Sequence, residues 1–170
     1  MSTKAKTAAG LTGAAAIAFG LYVGGLEYRE GVAYRAYQDG VKVWTICMGD
    51  THNVTPGMTA TEAECRERDE RNARFAWDYV DQVVTTPMTW GQRRAYADYA
   101  FNAGVGNFST SSMLSHANAG RVQESCDAFL EHYWAGKPPN RIDCRTDRRC
   151  RGVWDRRQWE RKVCLGGDAL

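Results

Sequence analysis

The chain has 170 residues, of which 25% are charged and 44% apolar, and its formal net charge is +2. That is the balance of a soluble protein able to bury one core. It excludes repeat, low-complexity and linked two-domain architectures, none of which leaves a trace in the sequence.

Residues 7–26 carry no charge, with Lys4 and Lys6 before them and Glu27, Arg29 and Glu30 directly after. A helix of that length, at about 1.5 Å per residue, just spans a hydrocarbon layer of roughly 30 Å. Five glycines, six alanines and two threonines leave Leu11, Ile17, Phe19, Leu21, Tyr22, Val23 and Leu26 as its large apolar groups. Strongly apolar residues contribute about −0.3 to −0.6 kcal/mol each to insertion, so the total is only on the order of −3 kcal/mol. Such a span is expected to insert and later to leave, with the lysines cytoplasmic and the rest of the chain exported. The competing reading is a cleaved signal peptide, because Ala16-Ile17-Ala18 has the small-x-small form of a cleavage site. Phe19 to Leu26 stays apolar beyond that point, which favours retention. Gly20 and Gly24 form a small-xxx-small pair, read here as a coincidence of a glycine-rich segment. The expected division is an anchor over 1–26 and a catalytic domain over 27–170.

Directly after the anchor come Glu30, Asp39 and Thr45. Asp39-Gly40 is a hairpin signal, and Tyr34 to Tyr37 and Val41 to Trp44 are rich in strand formers. Two carboxylates and a hydroxyl around one turn are the groups needed to protonate a glycosidic oxygen and place a water on the sugar carbon. Alternation along a strand puts Thr45 on the face of Val41 and Val43. A Glu30 carboxyl that stays protonated near neutral pH requires an apolar or negatively charged setting, for which Tyr34, Tyr37, Trp44 and Phe101 are candidates.

Thr59 with Glu62 and Thr61 with Glu64 offer overlapping capping boxes for a helix running toward Val84. Pro87 closes that region, and a second helix is expected from Trp90 to Asn102, broken by Gly104-Val105-Gly106. Further helices near Ser111 to Ala119, Arg121 to Trp134 and Trp154 to Cys164 complete a mostly helical lobe. The segment from Tyr34 to about Val54 makes a small β lobe, with a cleft between the two. Six cysteines, Cys47, Cys65, Cys126, Cys144, Cys150 and Cys164, point in an exported chain to disulfides rather than metal ligation, with 15 connectivities open. Cys144 and Cys150 lie in the insert Pro138 to Arg151 and can close a local loop. With no zinc spacing, neither metal nor cofactor is expected. Residues 141–162 hold nine Lys or Arg against four acids, a patch that can draw the chain to anionic polymer or lipid headgroups. Export argues against nucleic acid as the partner.

The strings Glu30-Gly31, Tyr37-Gln38-Asp39 and Val43 to Gly49 resemble the active-site segment of phage-type lysozymes, glycoside hydrolase family 24. Gln92, Ala95, Tyr99 and Phe101 to Phe108, with Ser111, Leu114, Asn118 and Gly120, resemble that family's central helix and following turn. Gly152-Val153-Trp154 with Arg156, Arg157 and Glu160 resembles its C-terminal helix. The resemblance implies an α+β, mostly helical, two-lobed fold with a β-hairpin lobe behind the anchor. It implies Glu30 as general acid, Asp39 as the carboxylate that orients or activates water, Thr45 as its helper, and Arg156 or Arg157 as a partner of Glu30. Tyr37, Trp44, Phe101 and Asn102 are the expected substrate contacts. Cysteines at corresponding places imply Cys47–Cys65 and Cys126–Cys164. Asp50 stands where many relatives carry a histidine, so that residue's ion pair is not carried over, and His52 reads as a loop histidine.

The N-terminal span resembles the signal-anchor-release segment of certain phage endolysins. This implies a chain tethered inactive in the host inner membrane through residues 7–26, then released into the periplasm as an active monomer that cuts peptidoglycan between N-acetylmuramic acid and N-acetylglucosamine. No cysteine precedes Cys47, so refolding of the freed segment is expected to control activity rather than a thiol. A lytic transglycosylase using Glu30 alone and a non-enzymatic wall-binding or membrane-active protein are the alternatives.

Overall fold

The computed structural model describes residues 13–39, 42–136 and 138–167, with the side chains of residue 14 and residues 27–30 outside that description. Residues 7–12 of the expected anchor also fall outside it, whereas 13–26 form most of helix α1 (Gly13–Glu30). Among the described residues no helix is long and apolar enough to cross a membrane. α1 instead lays one stripe on the domain: Ala15, Ala18, Phe19, Tyr22 and Leu26 are buried, while Ile17 and Leu21 face out. Spacings of three and four put the buried residues on one helical face. The Phe19 ring meets Trp77 edge-on at 5.5 Å, the Tyr22 ring stacks on Trp77 at 5.4 Å, and the Tyr22 hydroxyl donates to the Ala97 carbonyl at 3.2 Å. Burying side chains of this size contributes about 1.5–3 kcal/mol each, so α1 is a structural part of the core.

Gly31, at φ 67°, turns the chain out of α1 into β1 (Ala33–Gln38). β1 pairs antiparallel with β2 (Trp44–Cys47), Tyr37 opposite Thr45 and Gln38 opposite Trp44. The hairpin expected at Asp39-Gly40 is present, and Asp39 closes it through backbone bonds to Lys42 and Val43. Asp39 N donates to Val43 O at 3.0 Å, and Lys42 N donates to Asp39 O at 3.0 Å. Gly40 and Val41 lie outside the described residues. Lys42 adopts φ 66° just before β2. Thr45 is 3% exposed, while Val43, just outside β2, is 43% exposed. Ala36, Ile46, Cys47 and Cys65 form a small second core under this hairpin, joined by Trp44, Val54, Met58 and Ala60.

Helix α2 (Glu62–Val83) starts at the Thr61–Glu64 capping box, with both reciprocal bonds made. The overlapping Thr59–Glu62 box does not form, because Thr59 is held in a bridge opposite Arg35 of β1. α3 (Trp90–Ala103) opens with a second box, Thr89 with Gln92. Gly104, at φ 92°, ends it and swings the chain into α4 (Val105–Ser109), so Gly106 sits inside a short helix rather than in the break. α5 (Ser112–Asn118) and α6 (Val122–Asp127) follow, with a 3-10 turn over Ala128–Glu131.

The helix expected to run from Arg121 to Trp134 ends earlier, at Asp127, with its 3-10 extension reaching Glu131. Trp134–Ala135 is a strand, β3, pairing with β4 (Ile142–Asp143), and cross-strand bonds replace the helical ones. α7 (Arg151–Cys164) begins three residues earlier than expected and packs along α3. A methyl group on Gly91 of α3 would come 2.6 Å from the Val163 carbonyl of α7, so the close approach of these helices requires glycine. Three disulfides staple the fold: Cys47–Cys65 ties β2 to α2, Cys126–Cys164 ties α6 to α7, and Cys144–Cys150 closes the strap after β4.

Candidate functional site

Two cavities flank Asn102 at the end of α3. One, of about 430 Å³, lies between the β lobe (Met48 to His52), α2 (Asn72, Phe75, Ala76) and Ala100 to Val105. The other, of about 990 Å³, runs from Tyr99, Asn102 and Asn107 to Glu131, His132, Trp134 and Arg141 of the insert, with Arg157 on its floor. Together they form a groove across the molecule. Phe101 and Asn102 line it. Tyr37 is exposed on β1, and Trp44 packs on the second core.

Glu30 ends α1 three residues before β1, and its side chain lies outside the described residues. Asp39 sits at the hairpin reversal, where its Oδ1 accepts a 2.9 Å bond from the Val43 N–H. Thr45 lies across the ladder from Tyr37 and donates its hydroxyl proton to Val43 O at 3.1 Å. Both side chains are thus tied to Val43, and the reversal fixes their relative placement.

Beneath Asn102 lies a buried ionic cluster. Arg157, 1% exposed, donates from Nη2 to Asn102 Oδ1 at 2.5 Å, while its Nε is 3.2 Å from Glu160. Its guanidinium also stands over the Tyr99 ring at 4.6 Å. Arg156 donates to Asp98 at 2.6 Å and lies 3.7 Å from Glu160. Complete burial drives the Glu160 carboxyl well above the usual range, with Arg157 pulling the other way, and burial depresses the Arg157 guanidinium. Burial pushes the Tyr99 phenol up to about 12, so it is neutral in its 2.8 Å bond with His132 Nδ1. Burial and Arg157 lower the His132 imidazole. Asp98 and Glu160 were not among the site residues expected from sequence. The readable signal was Arg156-Arg157-x-x-Glu160, whose three- and four-residue spacing puts the charges on one helix face.

Because Arg157 is purely a donor, it engages the Asn102 carbonyl oxygen and leaves the amide NH₂ as the donor that this side chain can offer. A fixed, exposed donor at the junction of two cavities suits a hydroxyl or acetamido oxygen of a polymeric ligand. Asp50, 4% exposed, anchors the β-lobe wall. It bonds Arg68 at 2.7 Å and accepts from the His52 N–H at 2.9 Å. Burial raises its carboxyl, but the His52 and Arg68 hydrogen bonds outweigh burial and hold it below the usual range. Asp69 of α2 accepts from Met48 N at 3.0 Å, latching the same wall. Among the described residues no group of three or more His, Cys, Asp or Glu is placed to hold a metal ion.

The model of the family described as phage lysozyme matches residues 27–160. A SAR-endolysin of Bacteriophage PS119 is 34% identical over 158 residues, covering 91% of this chain and 89% of that protein. A SAR-endolysin of Enterobacteria phage PA-2 is 33% identical over 167 residues, covering 96% and 95%. Among solved structures, a P22 lysozyme mutant superposes with a TM-score of 0.67 at 29% identity, covering 85% of this chain and 95% of that one.

Proposed function

The chain belongs to the phage lysozyme family, and we propose on that footing that this peptidoglycan-lysing glycoside hydrolase cuts the β-1,4 bond between N-acetylmuramic acid and N-acetylglucosamine. The observation that carries the reading is the family match over 27–160, which takes in Glu30, Asp39 and Thr45 as well as Phe101, Asn102 and Arg157 of the groove. Glu30 is the general acid that protonates the departing glycosidic oxygen. Asp39 accepts a proton from the attacking water, and Thr45 holds that water in line. Asn102 donates to the bound sugar, and Phe101 lines the groove beside it. The Val43 contacts of Asp39 and Thr45 favour such a division of labour, since they fix both groups before substrate arrives. Arg157 acts on the substrate through Asn102.

The N-terminal segment is proposed to tether the chain to the host inner membrane before release into the periplasm, in keeping with the name of the relatives. Phe19, Tyr22 and Leu26, which would face lipid in the tethered chain, are the residues that pack on Trp77 and α3 here, so docking of α1 gives the freed segment a destination. α1 runs through residue 26, the proposed edge between anchor and catalytic domain, as one helix.

The test is clearance of purified host walls by full-length protein released from membranes and by protein starting at Glu27, with product analysis by mass spectrometry. Glu30→Gln is expected to lower kcat/KM by about 10³ and Asp39→Asn by about 10², the range of general acid–base contributions. Products should be reducing muramic-acid ends, and the truncated form should be weak. Anhydro ends with little effect of Asp39→Asn would identify a transglycosylase. Undiminished clearance by Glu30→Gln would mean that lysis does not proceed by this chemistry.

A further inference from the structure

We propose that the substrate groove continues beyond the interlobe cleft onto the outer face of α2, where Phe75 forms a platform for a further sugar ring of the same glycan strand. This rests on the glycan-hydrolase reading above. The cavity of about 430 Å³ has Phe75 on its wall, and Phe75 is also on the wall of a third cavity of about 310 Å³, with Arg71, Arg74, Asp78, Tyr79 and Gln82. Asn102 is shared by the cavities of about 990 and 430 Å³, and Phe75 by those of about 430 and 310 Å³. The result is an unbroken series of sites, the form a polymer needs and a small ligand does not.

Phe75 itself is 62% exposed, more than any other large apolar side chain among the described residues, although its neighbours Ala76 and Trp77 are buried at 2% and 0%. Lone exposed apolar residues are common, but this ring stands at the boundary of two cavities. The apolar C–H face of a pyranose matches an aromatic ring, and stacking removes both from water. The charges beside it match the rest of the strand. Arg71, half exposed, lies 3.6 Å from Asp50, and the Arg74 guanidinium is held 3.5 Å over the Phe19 ring. Two guanidiniums next to the platform suit the carboxylates of the stem peptides carried by muramic acid. Since Phe19 belongs to α1, Arg74 is positioned at this subsite when α1 is docked.

The experiment compares kcat/KM on intact wall polymer and on a soluble peptidoglycan tetrasaccharide for released, disulfide-intact protein. Phe75→Ala should lower the polymer-to-oligomer ratio about fivefold, chiefly through KM, as expected for loss of an interaction made equally in ground and transition states. Phe75→Trp should restore it. In the Glu30→Gln background, Phe75→Ala should weaken cosedimentation with intact walls by a similar factor. An unchanged ratio, whether both rates fall together or neither does, would overturn the subsite. Lysis surviving Glu30→Gln would overturn the hydrolase reading instead, and the cosedimentation result would still decide whether Phe75 contacts the strand.

Discussion

Replacing Trp77 by alanine should undock α1 from the domain. The indole is fully buried, with Phe19 and Tyr22 against its ring and the Arg93 guanidinium 4.5 Å over it. Removing roughly 200 Å² of buried aromatic surface at about 25 cal/mol per Å² costs about 5 kcal/mol. The two ring contacts add about 0.5–1.5 kcal/mol each. Against this, the Trp77 N–H is buried with no hydrogen-bond partner among the described residues, and its removal returns about 1–3 kcal/mol. The net loss is about 5 kcal/mol, at the upper end of the usual range for a buried Trp or Phe cut to Ala. Trp77→Phe keeps a ring for Phe19 and Tyr22 while deleting the orphan donor, so it should stay within about 1.5 kcal/mol of the parent. Urea unfolding of the released protein gives both values, and amide exchange over residues 13–26 reports α1 directly. Trp77→Ala should abolish protection there, and Trp77→Phe should retain it. If alanine costs under about 1.5 kcal/mol, or α1 stays protected without the indole, the packing described here does not hold the helix in place.

Three other consequences can be measured. Asp50, with a folded pKa below its unfolded value, contributes stability that is present above the unfolded pKa of about 3.9 and lost as pH falls through the folded one. Asp50→Asn should therefore flatten the acid limb of a stability–pH curve below about pH 4. Arg157→Met leaves Glu160 buried with less compensation and should cost about 3–5 kcal/mol, and Arg157→Met with Glu160→Leu together should cost less than the single change, read by a double-mutant cycle. Removing the disulfides one at a time should cost about 4, 3 and 2 kcal/mol for Cys126–Cys164, Cys47–Cys65 and Cys144–Cys150 in urea titrations, following loop lengths of 38, 18 and 6. A different order would show that native-state contacts outweigh the chain-entropy effect.

What the sequence made legible was local. The Thr61–Glu64 box and the ends of α2 and α3 follow from capping chemistry within a few residues, and the hairpin lobe follows from strand formers around a turn signal. The choice between Thr59 and Thr61 as cap was settled by a bridge to Arg35, twenty-four residues away in the chain. Lys42 enters a positive-φ conformation that propensity assigns to glycine or asparagine, so the backbone path into β2 was not readable from residue type. Strands of two residues such as β3 and β4 carry no period to detect. At the groove, Arg156 and Arg157 stood out as candidates, but their partners Asp98, Asn102 and Tyr99 come from α3, more than fifty residues earlier. Only packing of the two helices brings those groups together.

The hydrogen atom that serves as the side chain of residue 91 has a long reach. α3 and α7 run antiparallel, with Gly91 against Val163 at one end and Asn102 bonded to Arg157 toward the other. A methyl at 91 would act as a wedge under a lever, prising the helices apart at the near end and tilting the far one. Arg157 then loses its bearing on Asn102, and the amide is free to flip. Gly91→Ala would thus register as a fault in the sugar contact proposed for Asn102, transmitted along two helices from the far end of α3.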